Sequence, residues 1–232
     1  MISGVLNSHV LDNPVWASLT GPHAHFATTV GQARRYPSDV AVFVGLSDHA
    51  DCGVWEDLHQ LAGPQAVVGL TGTGLQPPSD WPVVMSGEGV QLVSTDALES
   101  RPFDEAVVLG AEDVQEMLDL VALTQPGPFL PRTYLLGTYL GVRHEGRLVA
   151  MAGERLHPPG YTEISAVCTH PDFRGRGYGT RLVQAVAHGI RDRGEVPMMH
   201  ASAANTNAIR LYESLGFVLR KRTTFMAVRV PA

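Results

Sequence analysis

The residues best suited to chemistry are Arg174-Gly175-Arg176-Gly177-Tyr178-Gly179, where three glycines alternate with two arginines and a tyrosine. Glycine admits positive φ and lets a bulky group approach the backbone without meeting a Cβ. Successive N–H groups in such a loop form a concave anion site, and a helix that starts there adds the positive end of its dipole. The arginines add full charge. The chemistry is therefore the holding of a phosphate or pyrophosphate. A dinucleotide fingerprint fails, because the sixth place counted from Gly175 is Thr180 and from Gly177 is Leu182; no Gly-Lys-Ser/Thr loop occurs either. What fits is Arg-x-x-Gly-x-Gly at Arg174, Gly177 and Gly179.

An Arg-x-x-Gly-x-Gly loop after a strand resembles the coenzyme A pyrophosphate loop of the GNAT superfamily of N-acetyltransferases. Glu163, eleven residues before Arg174, stands where several GNAT enzymes carry a catalytic glutamate. Asn205, Ala208, Leu211 and Tyr212, followed by Gly216-Phe217, resemble the superfamily's second motif. The resemblance covers about residues 126–230. The stretch from Gly153-Glu154-Arg155 to Thr169-His170-Pro171 is also similar to the branch related to glycine N-acyltransferases.

The resemblance implies acetyl-coenzyme A as co-substrate and an amine, on a small molecule or a peptide, as acceptor. The pyrophosphate is expected on the N–H groups of Arg174, Gly175, Arg176, Gly177, Tyr178, Gly179 and Thr180. The pantetheine arm is expected along Val167, Cys168 and Thr169, with the N–H of Val167 or Cys168 near the thioester oxygen, where one donor contributes about 2.7–4 kcal/mol to an oxyanion. Neutralising a lysine-type amine at pH 7 costs roughly 4–5 kcal/mol and an α-amino group only about 1 kcal/mol, so the first class needs a base more. Glu163 is the expected base and Tyr212 the expected donor to the leaving thiolate. Asn205 is expected on the pantetheine, at the helix start, or both. A non-catalytic acetyl-coenzyme A sensor and a transferase of longer acyl chains are the rival readings. GNAT members acylate antibiotics, polyamines, amino acids and protein amines, so the fold does not name the acceptor.

Each assignment has a plainer counterpart. Tyr212 lies on an apolar helical stripe, where the plainer reading is a core tyrosine with a satisfied hydroxyl. Glu163 on a strand reads as a cross-strand charge. Cys168 reads as a small buried hydrophobe rather than a nucleophile. His200 on a strand reads as a core histidine. His23-x-His25 and the group Asp48, His49, Asp51 and Cys52 lack ligand spacing, so no metal is expected. Phe129 and Arg132, where the chain enters the recognised region, are open as acceptor-site residues.

Most of these residues need a strand–loop–helix unit to position them. Tyr161 to Thr169 reads as the strand before the loop, and Leu182, Val183, Val186, Ala187 and Ile190 as the helix after it, ending at Gly194. Thr138–Val142 and Arg147–Ala152 read as a hairpin turning at His144-Glu145-Gly146. Met198–Ser202 is a further strand, Ala208–Leu215 a helix, and Phe217–Val230 the closing strands. Upstream, Ala111–Leu123 reads as a helix stopped by Pro126-Gly127-Pro128. Val40–Leu46, Gln65–Leu70 and Val90–Val93 read as strands, Val54–Leu61 as a helix, and Thr71–Gly74 as a loop. The expected organisation is an N-terminal α/β unit of unknown role over 1–104, a connecting helix over 105–125 and the acyltransferase domain over 126–232. The fold class is α+β with a mixed, mostly antiparallel sheet and helices on both faces. The N-terminal unit is compatible with a degenerate half of the same fold.

Of the 232 residues 44% are apolar and 17% charged, as in globular chains. The net charge of −6 argues against nucleic-acid binding and favours a cationic acceptor. No apolar run reaches the ~20 residues of a membrane helix. Met1–Leu6 lacks the features of a signal peptide. Two distant cysteines, Cys52 and Cys168, fit free thiols in a reducing cytoplasm. A homodimer is left open.

Overall fold

A computed structural model describes residues 9–72 and 75–232. Met1–Leu6 and the Thr73-Gly74 part of the expected loop lie outside the described residues. The chain opens with α1 (Pro14–Thr20), β1 (Thr28–Val30), β2 (Ala33–Arg35), β3 (Val44–Leu46) and α2 (Val54–Ala62). Then come β4 (Val67–Gly72), β5 (Val83–Ser94), β6 (Ala106–Leu109), α3 (Val114–Thr124), β7 (Tyr139–His144), β8 (Arg147–Glu154) and β9 (Tyr161–Thr169). The last elements are α4 (Tyr178–Asp192), β10 (Val196–Ser202), α5 (Thr206–Ser214) and β11 (Phe217–Arg229).

Eight strands form one sheet in the order β4-β11-β5-β10-β9-β8-β7-β6, and β1-β2-β3 form a small separate sheet. Among the described residues, the β9–β10 neighbours are the one parallel pair of strands within the large sheet. This is the mixed, mostly antiparallel α+β architecture expected. α4 and α5 cover one core, built with Leu92, Val149, Ile164 and Phe217, while α3 closes another with Tyr139, Met151 and Cys168. The small sheet and α2 pack through Ala33, Leu58 and Leu61 on Val68, Leu70 and Val228 of β4 and β11.

Local rules account for the boundaries. The hairpin turns at Glu145 and Gly146, both at positive φ (50° and 81°), the geometry a two-residue loop needs to match strand twist. α1 starts with an Asn13 cap on the Trp16 N–H and a proline at its first position. Its seven residues are too few for the sequence to display a helical period. Of the expected Val40–Leu46 strand, Val44–Leu46 pairs with β2 and Phe43 makes an isolated parallel bridge to Gly69, while the Val40 carbonyl is taken by the Thr133 hydroxyl at 2.7 Å. The closing segment is one long strand with a bulge at Arg220. The main sheet draws strands from both sides of position 104: β4 and β5 sit among the strands of the recognised region.

Two departures from regularity position the site. β10 pairs with β9 only over Val196↔Tyr161, Pro197↔Thr162 and Met198↔Glu163, after which β10 follows β5 and β9 follows β8. On its other side β9 bulges, since the register jumps from Met151↔Cys168 to Gly153↔Ser165 and leaves Ala166 and Val167 opposite one residue. Ala166 sits at φ 52°, a region costly for any residue with a Cβ. Ala166→Val is expected to lower stability by about 1–3 kcal/mol, and Ala166→Gly to leave it unchanged or higher, both read from urea midpoints.

Candidate functional site

The Arg174–Thr180 loop lies on the surface. Gly175 and Gly177 hold positive φ (76° and 75°), and a Cβ at Gly175, Gly177 or Gly179 would meet nothing within 4 Å. Gly177 caps α4 with no side-chain hydrogen bond. Among the described residues, the N–H groups from Gly175 to Thr180 have no protein acceptor outside the helix itself, the first intrahelical partnership being Arg181 N–H to the Gly177 carbonyl. Free donors, open space and a fifteen-residue helix behind them make an anion site. Arg176 lies over the Phe173 ring at 4.7 Å, and Arg174 is exposed beside it.

Where β9 and β10 part, a cavity of about 510 Å³ opens. Ser165, Ala166 and Val167 line it from β9, Met199 to Ser202 from β10, and Asn205, Ala208 and Tyr212 from the start of α5. It crosses the sheet to β11 and β4, where Phe225, Met226, Val68 and Leu70 line it, and takes in Val42, Phe43 and Arg155. A backbone whose ladder partner has left on one side, and which bulges on the other, presents polar groups to any ligand in that gap. Val167, Asn205 and Tyr212 are therefore brought together on one cavity. Asn205 also caps α5, accepting the Ala208 N–H at 3.2 Å. Thr169 is not part of the lining.

Tyr212 is nearly buried, and its hydroxyl donates to no protein acceptor among the described residues. Burial, then the nearby Cys168 thiol, pushes its pKa up to about 12, so it stays a proton donor at neutral pH. Cys168 turns its side chain into the core beneath α3, and burial pushes that thiol up to about 11. This suits an inert core cysteine, not a thiolate nucleophile.

Glu163 lies behind the cavity lining, fully buried. Arg155 holds it with two hydrogen bonds, Nε to Oε2 at 2.9 Å and Nη2 to Oε1 at 2.7 Å, and His200 Nδ1 lies 2.8 Å from Oε1. Burial alone would raise its pKa, but Arg155 and then His200 outweigh it and hold the carboxyl well below the ordinary range. Gln91 takes Arg220 Nη1 on its Oε1 at 2.8 Å, so its amide nitrogen donates to the Leu11 carbonyl and to His200 Nε2, at 2.8 and 3.0 Å. His200 then carries its proton on Nδ1 and donates it to Glu163. Asp12 closes the line on Arg220 at 3.0 Å. The expectation that Glu163 is the base meets this geometry: an anion with a depressed pKa, no exposure and three donors is a weak acceptor of an amine proton.

Arg155 and His200, which line the cavity, and Gln91, which backs His200, were not singled out as site residues from the sequence. Their one signal is that the single charge on the buried strand β9 needs a buried counter-charge, and Arg155 meets Glu163 across the backbone pair Arg155 N–H to Glu163 carbonyl. Arg132 pairs with Asp39 on the surface and Phe129 packs on Tyr139, neither in the cavity. His23 bonds the Tyr36 hydroxyl, Asp48 takes the Asn13 amide, and Asp51 accepts from Gln32 and Gly53. Among the described residues no group of three or more His, Cys, Asp or Glu could hold a metal ion, and no helix is long and apolar enough to cross a membrane.

The profile of FR47-like proteins matches residues 139–226. The crystal structure of a putative acetyltransferase from the GNAT family of Novosphingobium aromaticivorans is 37% identical, covers 97% of this chain and all of that one, and superposes with a TM-score of 0.88. The chain belongs to the GNAT family of acetyltransferases, with an FR47-like C-terminal region. Members of that family use acetyl-coenzyme A. Mycothiol acetyltransferase of Thermomonospora curvata is 38% identical over 82 residues, 35% of this chain and 27% of that protein. The Thermobispora bispora mycothiol acetyltransferase is 35% identical over 126 residues, 52% of this chain and 41% of that protein. The chain thus spans well under half the length of these curated relatives.

The buried polar line has a measurable consequence. Glu163→Gln leaves Arg155 buried without its counter-charge and is expected to cost about 3–5 kcal/mol in chemical denaturation at pH 7. Because the native pKa is depressed, the ionised carboxylate stabilises the wild type above about pH 4, its unfolded-state range, and this contribution fades as pH falls further. The difference between wild type and variant should therefore shrink below pH 4.

Proposed function

We propose that the chain transfers an acetyl group from acetyl-coenzyme A to a primary amine by direct attack. The observation that carries this reading is the parting of β9 and β10 into a cavity that reaches Tyr212, with the free N–H groups of Gly175–Thr180 at the start of α4. The residues fit the coenzyme: the loop offers anion donors without steric obstruction, and the gap offers unpaired backbone and a free hydroxyl.

Bound there, the coenzyme supplies an activated acyl carbon. The Val167 N–H, on the bulge, is the proposed donor to the carbonyl oxygen as it gains charge. The amine nitrogen bonds to the acetyl carbon, the carbon–sulfur bond breaks, and its electron pair leaves on sulfur. The nitrogen's surplus proton passes to water. Tyr212 donates a hydrogen bond to the departing sulfur. Complete transfer of its proton is uphill, since a phenol at about 12 faces a thiol near 8.5, a gap of about 5 kcal/mol. Tyr212 thus stabilises the thiolate, and solvent completes its protonation.

The cofactor site is tested by calorimetric titration with acetyl-coenzyme A. Gly179→Glu is the discriminating variant, because Gly179 has no positive φ and a Cβ there has open space, so the fold tolerates it while the carboxylate repels an anion. Binding should weaken at least about ten-fold with the unfolding midpoint unchanged. Unaltered binding would remove the pyrophosphate from this loop. Tyr212→Phe should retain acetyl-coenzyme A affinity and lower kcat about ten- to a hundred-fold, the worth of a hydrogen bond to a charged group. Full turnover in that variant would end the role given to Tyr212.

A further inference from the structure

The cavity continues past the strand gap into a region lined by Val42, Phe43, Val68, Leu70, Phe225 and Met226. Among the described residues, three titratable groups line the cavity: Arg155, His200 and Tyr212. None is a carboxylate, and the residues outside the described set, 1–8 and 73–74, carry no acidic side chain. A permanently cationic acceptor would find no counter-charge here. Both His200 nitrogens are committed, one to Glu163 and one to Gln91, so among the described residues no lining group is free to take a proton from an ammonium.

One polar group is unspent. Arg155 is about nine-tenths buried, with its guanidinium 4.9 Å over the Phe43 ring. Nε and Nη2 hold Glu163, while Nη1 has no protein acceptor among the described residues, nor is it among the sealed, orphaned polar atoms. It remains a donor for whatever enters the cavity. Glu163 already balances its charge, so it suits a neutral oxygen better than a second carboxylate.

Resting on the transferase reading above, we propose that the acceptor is an α-amino amide with an apolar side chain, its carbonyl oxygen on Arg155 Nη1 and its side chain among Phe43, Val68, Leu70 and Phe225. A site without a free base needs an amine that reaches its neutral form unaided. At pH 7 about one in ten α-amino groups beside an amide is neutral, against about one in 2,500 lysine-type amines. The neighbouring carbonyl that lowers the amine's basicity is the same oxygen that Arg155 is placed to bind. This reverses the cationic preference that net charge alone suggests.

The test measures coenzyme A release from acetyl-coenzyme A by the intact chain. L-leucinamide should exceed Nα-acetyl-lysinamide and spermidine in kcat/KM by at least about a hundred-fold, following the neutral fractions. It should also exceed L-aspartic acid diamide and free L-leucine. A Leu-Gly-Gly peptide run beside leucinamide separates a peptide N-terminus from a small aminoacyl conjugate as the source. Arg155→Lys keeps a cation for Glu163 but loses the free fork nitrogen; KM for leucinamide should rise at least ten-fold while acetyl-coenzyme A affinity holds. Preference for spermidine or the lysine side chain overturns the inference and leaves the transferase standing. So does turnover of none of these amines with acetyl-coenzyme A binding intact. Failure to bind acetyl-coenzyme A defeats the transferase reading first, and this one with it.

Discussion

The structure turns on three residue pairs. β9 and β10 are joined over Tyr161–Glu163 and Val196–Met198 and no further. A sheet that stayed closed would spend every backbone donor on its neighbour and have no room at its centre. By parting, the strands leave backbone groups unsatisfied in the interior, a state that a protein tolerates only where water or a ligand completes the bonding. The bulge at Ala166–Val167 works on the opposite edge of the same strand and in the same sense. The loop that follows β9 and the helix α4 then place free N–H groups at one end of the opening, and α5 brings Tyr212 to it.

At the point of divergence sits the line Asp12–Arg220–Gln91–His200–Glu163–Arg155. It joins the N-terminal turn, β11, β5, β10, β9 and the segment after β8. The bulge in β11 falls at Arg220, which sends that side chain inward to Gln91. A buried ion pair contributes little net stability against an apolar isostere, because desolvation offsets the attraction. What it supplies is direction. Each member has one arrangement that satisfies its donors and acceptors, so the strands on either side of the gap are held at a defined separation, and Arg155 presents a single nitrogen to the cavity.

The C-terminal region was legible because its signals are local. Alternating glycines, a helix beginning at once after them, and the Asn205 to Phe217 spacing are all read within a few turns of chain. β9 agrees with its expected bounds to the residue because it is buried or half-buried along its whole length and ends at a Pro171 turn. The N-terminal half was not, since its structure is decided at a distance. β1 and β2 are three residues each and carry no period. β6 keeps Val107 and Val108 exposed on an edge, so burial does not mark it. Within the site, Tyr212 and Val167 were accessible from motif and register. Arg155 and His200 were not, because their meaning lies in partners on other strands. Glu163 is the converse case: spacing drew notice to it, while the buried partners that govern its carboxylate lie on other elements.

The strand order has a bearing on how the chain is made. β5 lies between β10 and β11, yet both of those strands begin more than a hundred residues after β5 ends. As the polypeptide leaves the ribosome, β5 emerges with both edges bare, and it carries Val83, Val84 and Met85 on its outer end. Neither the first hundred residues nor the stretch that matches the FR47-like profile contains the complete centre of the sheet. Synthesis must therefore run almost to the end of β11 before the middle of the molecule can close, and the interval is one in which a holding chaperone would have a natural substrate.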